Sequence, residues 1–240
     1  MSAEHRETPI HGSAKELASH LQRLKELRGA QAKRPARLAE LKLFQSRRLA
    51  QTYQGLAAQP RYQVATAFFL DDLYGPKDFS ARDQEMVRIV PVMSRILPAS
   101  AVETAALAIE LEALSEELDH KTALQLPAGP IVEATYAEAY RKATTRVERE
   151  RQIALIVAVG RRLDRLVKTP FVFRTLRLMR QPAKLAGLED LQEFLEHGFK
   201  AFRDMDGAEE FLALIDERET SLRNRLFSGA PRPFSTRPPA

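Results

Sequence analysis

The sequence predicts an all-α protein, a single bundle of about nine helices packed around a buried central helix at residues 62–74. Apolar residues recur at helical spacing in most segments of the chain. Proline and glycine occur between these segments, where helices begin and end. The 240 residues suffice for one helical domain with a substantial core.

The first two helices are predicted at about residues 13–28 and 36–57, each with a leucine-rich stripe. Residues 1–12 are expected to be disordered, as is the proline-rich tail at 229–240. We therefore predict one domain at 13–228. An alternative is that residues 13–57 form a separate helical hairpin arm.

The remaining helices follow from proline and capping signals. A fourth begins near Ala81 and is kinked or divided by Pro91. Thr169-Pro170 opens a segment that Gln181-Pro182 ends or bends. The others are predicted at about residues 100–125, 131–143, 145–168, 188–205 and 207–227.

The central helix combines an apolar circumference with two acids. On a wheel of 100° per residue, Asp72 falls in the middle of the apolar arc and Asp71 beside Ala67. A buried carboxylate without a partner is costly, and negative charge is disfavoured in the last turn of a helix. We expect Asp72 to have a basic partner, and the nearest candidates in sequence are Lys77, Arg82 and Arg88.

The run from Phe68 to Asp83 resembles the signature of the bacterial FFLEELY-motif proteins, an uncharacterised family. Asp71 and Asp72 stand where the family's name has two glutamates. The resemblance implies a helical bacterial protein and no particular activity. We interpret Asp72 as a structural acid tied to an arginine in preference to a polar group on a pocket wall. The candidate residues of the motif and of a pocket beside it are Phe68, Phe69, Asp71, Asp72, Tyr74, Arg82, Arg88 and Glu110.

The sequence excludes several kinds of functional site. Without cysteine the chain has no disulfide and no thiolate metal site, which agrees with a cytoplasmic location. The apolar run at 153–159 is far shorter than the roughly 20 residues that span a bilayer. No nucleophile elbow, Walker loop or dinucleotide-binding fingerprint is present.

Charge is segregated along the chain. Residues 141–184 contain thirteen Lys or Arg and three acids, whereas residues 99–119 contain six acids and no Lys or Arg. The basic segment could bind nucleic acid or lie on an anionic membrane. We favour the interpretation that its arginines pair with the acidic helix of the same chain or simply form solvated helix faces. The candidate anion-binding residues are Arg161, Arg162, Arg165, Arg174 and Arg177.

The acidic helix also raises the question of a metal. Glu117 and His120 form a Glu-x-x-His pair, but di-iron helical proteins need two such pairs and two further carboxylates. We favour a solvated acidic face with a surface histidine, and we expect Glu112, Glu116 and Asp119 to be solvated. No cofactor is predicted.

Three functions follow from these patterns. The favoured one is a non-enzymatic binding or scaffold protein with a buried acid/arginine network around the FFLDDLY motif. Its partner is unknown, and the candidates are another protein and a second copy of the chain. The second is a helical carboxylate-metal or small-ligand enzyme that uses Asp72, Glu110, Glu117 and His120. The third is a binder of nucleic acid or another anionic surface, which is not favoured.

Overall fold

The computed structural model describes residues 14–29, 35–73, 85 and 98–235. Every regular element in these ranges is helical, which confirms the predicted all-α fold class. The elements are α1 (Ala14–Gly29), α2 (Leu38–Ala57), α3 (Pro60–Phe68), a π-helical turn (Phe69–Leu73), α4 (Ala99–Leu124), α5 (Glu133–Ala143), α6 (Arg146–Val167), α7 (Pro170–Leu178), α8 (Arg180–Leu185), α9 (Glu189–Met205) and α10 (Glu209–Ser228).

Local sequence explains where several of these helices begin and end. At the start of α6 the Thr145 hydroxyl accepts from the Glu148 N–H, and the Glu148 carboxylate accepts from the Thr145 N–H, a capping box. Pro60 and Pro170 occupy the first positions of α3 and α7, where proline is favoured. The turn after α9 contains Gly207 at φ 108°, a left-handed conformation that glycine adopts without steric cost.

One boundary differs from the prediction. The segment after Pro170 breaks at Met179, two residues before the expected site, and Pro182 lies in the first turn of α8. Proline is tolerated there because the first N–H groups of a helix have no intrahelical acceptor. Of the predicted helix from Ala81, the structure describes only Glu85, which is helical, and the bend expected at Pro91 lies outside the described residues.

The bundle is organised by α4 and α6. Helix α4 packs against α1, α2, α5 and α6, and α6 also contacts α7, α9 and α10. The two helices run antiparallel, because Glu103 near the start of α4 pairs with Arg162 near the end of α6, and Lys121 pairs with Glu148 at the other end. Any space between α4 and α6 is therefore long and lined along its length by both helices.

The apolar circumference of the central helix predicted burial on all sides. In the structure, α3 is buried on one side only. Tyr62 is buried against Phe211 of α10 and Phe68 against Phe194 of α9. Three positions four residues apart are exposed: Gln63, Ala67 and Asp71. The wheel identifies which residues share a face, but α2 and α9 determine which face is covered.

Close packing of α3 on α9 depends on a glycine. A Cβ at Gly198 would lie 2.8 Å from the ring of Phe68, closer than van der Waals contact allows. The Phe68 ring also lies 5.5 Å from that of Phe194, centroid to centroid. Gly198 therefore creates the space that the first phenylalanine of the FFLDDLY motif fills.

The start of the predicted tail lies on the bundle. The Phe234 ring packs near Phe44 and Tyr136, and its N–H donates to the Glu133 carboxylate at 2.6 Å. In the part of the chain that the structure describes, no helix combines the length and apolar character needed to cross a membrane.

Candidate functional site

The FFLDDLY motif ends α3 in a π-helical turn. Hydrogen bonds in a π turn span five residues instead of four, so side chains beyond Phe69 are rotated relative to an α-helical wheel. Asp71 is exposed, and the Asp72 side chain is 23% exposed with its carboxylate 3.6 Å from Nδ1 of His197 on α9. The expected partners Lys77, Arg82 and Arg88, and the candidate Tyr74, lie outside the described residues.

The motif's two phenylalanines belong to the core. Phe68 and Phe69 are both buried, and the ring of Phe69 meets that of Tyr53 edge to face at 6.1 Å. Glu110, which the sequence grouped with Asp72, instead accepts hydrogen bonds of 2.7 and 3.0 Å from Arg151 on α6.

The Glu-x-x-His pair does not converge on one point. The Glu117 carboxylate pairs with Arg23 and, at 2.8 Å, with Lys121. His120 Nε2 instead lies 3.3 Å from Glu116. Among the described residues, no group of three metal-ligating side chains is positioned to hold an ion.

The acid that sequence reasoning missed is Glu116. We expected it to be solvated, and this expectation is wrong: its side chain is 2% exposed. Helices α1 and α2 cover this face of α4, and they bring Lys42 Nζ to 2.7 Å and Arg28 Nε to 3.2 Å from the carboxylate. Glu116, Lys42, Arg28 and His120 are called the Glu116 cluster below.

Electrostatics keep Glu116 ionised. Burial by itself would raise the pKa of Glu116, but the close contact with His120 and the charges of Lys42 and Arg28 outweigh it, and the pKa of Glu116 is held far below the usual range. A signal for this cluster was present in the sequence, because residues 23–48 contain nine basic residues and two acids. That excess could have been matched to the acidic α4.

Asp119, one turn further along α4, is in a different state. It is half-buried and accepts a hydrogen bond of 2.9 Å from the Gln45 amide, so the expectation that it is solvated is also wrong. Burial raises the pKa of Asp119, and the nearby charge of Lys42 reduces that increase. The pKa values of Glu116 and Asp119 are therefore shifted in opposite directions.

A cavity of about 480 Å³ is lined by residues from all ten helices, with α4 and α6 contributing along much of their length. Along α4 its lining changes from Ala101, Ala105 and Ala108 to Ser115 and Glu116. Along the antiparallel α6 it changes from Arg149 and Gln152 to Ile156 and Leu163. One end of the cavity is therefore polar and charged, and the other is apolar, where phenylalanines complete the wall: Phe68, Phe171, Phe194, Phe199 and Phe202.

Arg149 is the most unusual group in the polar end. It is 4% exposed, and its guanidinium donates to the Thr144 and Thr122 hydroxyls and to the Gln152 side chain. Its charge lies 4.2 Å from the centre of the Tyr140 ring. All these partners are neutral, and no carboxylate in the described part of the chain forms an ion pair with Arg149.

A family model described as Domain of unknown function (DUF8198) matches residues 24–233. The chain belongs to this family. The matched span of this DUF8198 protein includes the FFLDDLY motif, the Glu116 cluster and Arg149. No curated protein and no solved structure matches the chain. The likeness to the FFLEELY-motif proteins and the bacterial source remain predictions.

The basic segment of this DUF8198 protein is divided by its surroundings. Arg151 and Arg162 pair across to Glu110 and Glu103 of α4, as the favoured interpretation predicted. Arg161, Arg165, Arg174 and Arg177 are exposed and have no carboxylate partner among the described residues. The helices α6 and α7 therefore contain one set of arginines that holds the bundle together and another that is available to solvent.

Proposed function

We propose that this DUF8198 protein is a non-enzymatic binding protein, and that its cavity holds an elongated, mostly apolar molecule with one anionic group next to Arg149. The observation that supports this function is the buried, cationic Arg149, whose hydrogen-bond partners among the described residues are all neutral. The acid/arginine network around Asp72 stays a prediction, because Arg82 and Arg88 lie outside the described residues. The proposal retains the predicted cytoplasmic location.

The charge of Arg149 requires compensation. A buried ion costs several kcal/mol in lost hydration, which neutral hydrogen-bond partners offset only in part. Asp119 is near enough for its pKa to be affected by Arg149, but it forms no ion pair with it, and burial favours the neutral form of Asp119. An anionic ligand group at the polar end would supply the missing countercharge and two-point hydrogen bonding.

The rest of the cavity specifies an apolar body. From Ala101 to Glu116 the lining of α4 extends over roughly 22 Å at the rise of an α-helix. A volume of about 480 Å³ lies within the range of small-molecule sites, which are mainly hydrophobic with a few fixed polar groups. Long-chain carboxylates have this combination of length, apolar body and single charged end.

The enzyme alternative receives less support. A carboxylate-metal centre would need several ligands around one point, and Glu117 and His120 have different partners. Asp72 and Glu110 are likewise engaged with His197 and Arg151. Metal analysis of the purified protein tests this alternative, because a stoichiometric dinuclear metal content would favour it over ligand binding alone.

The test compares hexadecanoate with hexadecanol, which differ at the charged end. At concentrations near a hundred times the dissociation constant, hexadecanoate should raise the melting temperature by roughly 5–10 °C. Hexadecanol at the same concentration should raise the melting temperature less, because it leaves Arg149 without a countercharge. Equal shifts from the two compounds, or no shift from either, would contradict the proposal.

A matched set of variants separates binding from folding. Arg149→Gln should reduce the shift by the carboxylate while leaving that by the alcohol unchanged, whereas Arg149→Lys should retain part of the preference for the carboxylate. Arg47→Gln is the control, since Arg47 is exposed on α2 and does not line the cavity. If Arg149 has only a structural role, Arg149→Gln should lower the melting temperature without changing the preference between the two ligands.

A further inference from the structure

The strongest feature outside the cavity is the segment that follows α6. Residues 165–188 contain six Lys or Arg and no acid. This segment includes α7 and α8, which pack on the bundle through α6 and α9. A stretch of this length without a negative charge produces a local positive potential that the neighbouring helices must balance or leave open.

The outer side of these two helices is apolar as well as basic. Phe171 is 62% exposed, Leu178 is 77% exposed and Leu185 is 87% exposed. Within α7, Phe171, Arg174 and Leu178 lie three and four residues apart and therefore share one helix face. Single exposed apolar residues are common, but three in such a short segment form a patch. We define the α7–α8 face as Phe171, Arg174, Arg177, Leu178 and Leu185.

The charges of this face are not neutralised by the bundle. Arg180 and Lys184 pair with Glu196 and Glu189 of α9. In contrast, Arg174 and Arg177 have no carboxylate partner in the described residues, and Arg177 instead lies 5.7 Å from the centre of the Phe173 ring. The arginines beside the exposed apolar side chains are therefore those whose charge remains available.

We propose that the α7–α8 face docks on the surface of an anionic phospholipid bilayer. Phe171, Leu178 and Leu185 would enter the boundary between headgroups and acyl chains, and Arg174 and Arg177 would contact anionic headgroups. Exposed apolar side chains between the arginines favour a bilayer over a nucleic-acid backbone, which offers phosphates but no apolar layer beside them. The inference stands on this face and not on the ligand of the cavity.

The α7–α8 face lies on the outer side of a helix that also lines the cavity. Phe171 is exposed and also lines the apolar end of the cavity, and Val172 and Leu176 line that end from the inner side of α7. Helix α7 thus separates the cavity from the proposed membrane surface.

The experiment is co-sedimentation of the full-length protein with vesicles. Vesicles that contain phosphatidylserine should bind the protein, those of phosphatidylcholine alone should bind it far less, and added salt should weaken the binding. The double variant Arg174→Gln/Arg177→Gln should bind roughly 25-fold more weakly, at about fivefold for each basic residue lost. The matched control Lys15→Gln/Lys25→Gln removes the same charge from exposed positions on α1 and should bind like the wild type.

The apolar contribution has its own matched pair. Leu178→Ser should weaken binding to the anionic vesicles, whereas Leu124→Ser, at a position 70% exposed at the end of α4, should not. Equal binding of the two double variants would overturn the proposal, as would an absence of vesicle binding by the wild type. Salt-sensitive binding to double-stranded DNA without binding to vesicles would also overturn it and would assign the face to nucleic acid.

Discussion

Asp72 of the FFLDDLY motif and Glu116 of α4 are acids on apolar helices with opposite environments. Asp72 lies at the edge of the bundle beside a half-exposed histidine, whereas Glu116 is enclosed with Lys42, Arg28 and His120. On its own helix Asp72 has the more apolar surroundings, and in the folded protein Glu116 is the more buried. Burial of an acid therefore depends on which neighbouring helices cover its face, more than on the residues next to it in sequence.

The largest expected effect is at Glu116. Replacing it by alanine removes the buried carboxylate that Lys42 and Arg28 share and leaves the charge of Lys42 without this partner, which should lower the free energy of unfolding by about 3–5 kcal/mol. Urea unfolding followed by circular dichroism measures the change. A loss below that of Asp72→Ala would reverse the comparison between the two acids.

Titration provides the control for that variant. Because the pKa of Glu116 is lower in the folded than in the unfolded protein, its contribution to stability is complete above the ordinary glutamate pKa and is lost as pH falls towards the folded value. Glu148, whose pKa is lowered to about 2 with Lys121 as the main cause, contributes in the same direction. The acid-induced loss of stability should be smaller in Glu116→Gln than in the wild type.

A middle-sized effect is expected on the apolar side of the motif. Gly198→Ala places a methyl group against the Phe68 ring and should cost about 1–3 kcal/mol through overpacking. Gly55→Ala is the matched control, because a Cβ there meets nothing within 4 Å and alanine favours a helix. The two urea midpoints should move in opposite directions, and a tolerated Gly198→Ala would show that α3 and α9 are less closely packed than described.

The smallest effect is expected for the pair of Asp72 with His197. This pair is partly exposed and its atoms are 3.6 Å apart, so the coupling between the two side chains should contribute no more than about 1 kcal/mol to the free energy of unfolding. Chemical denaturation of Asp72→Ala and His197→Ala, alone and combined, measures the coupling between them. A loss of several kcal/mol would make Asp72 as important to the fold as Glu116.

Sequence reasoning located the helices well and the buried charges poorly. The predicted helix at 145–168 matches α6 (Arg146–Val167), because Thr145 and Glu148 form a capping box that can be read locally. The π turn at Phe69–Leu73 has no such local signal, and it changed the orientation of the two acids. The same limit applied to Glu116, since α1 and α2 approach it from distant parts of the chain.

By itself the sequence determined the all-α class and most helix boundaries, because proline, capping residues and the helical period act within a few neighbouring residues. It also indicated that the basic segment would pair with α4, since opposite charges occur in large blocks. The tertiary structure alone decided that Arg149 and Glu116 are enclosed and that Arg174 remains exposed. Hydration and counterions depend on what surrounds a side chain in space, and that is fixed only when helices from distant parts of the chain have packed together.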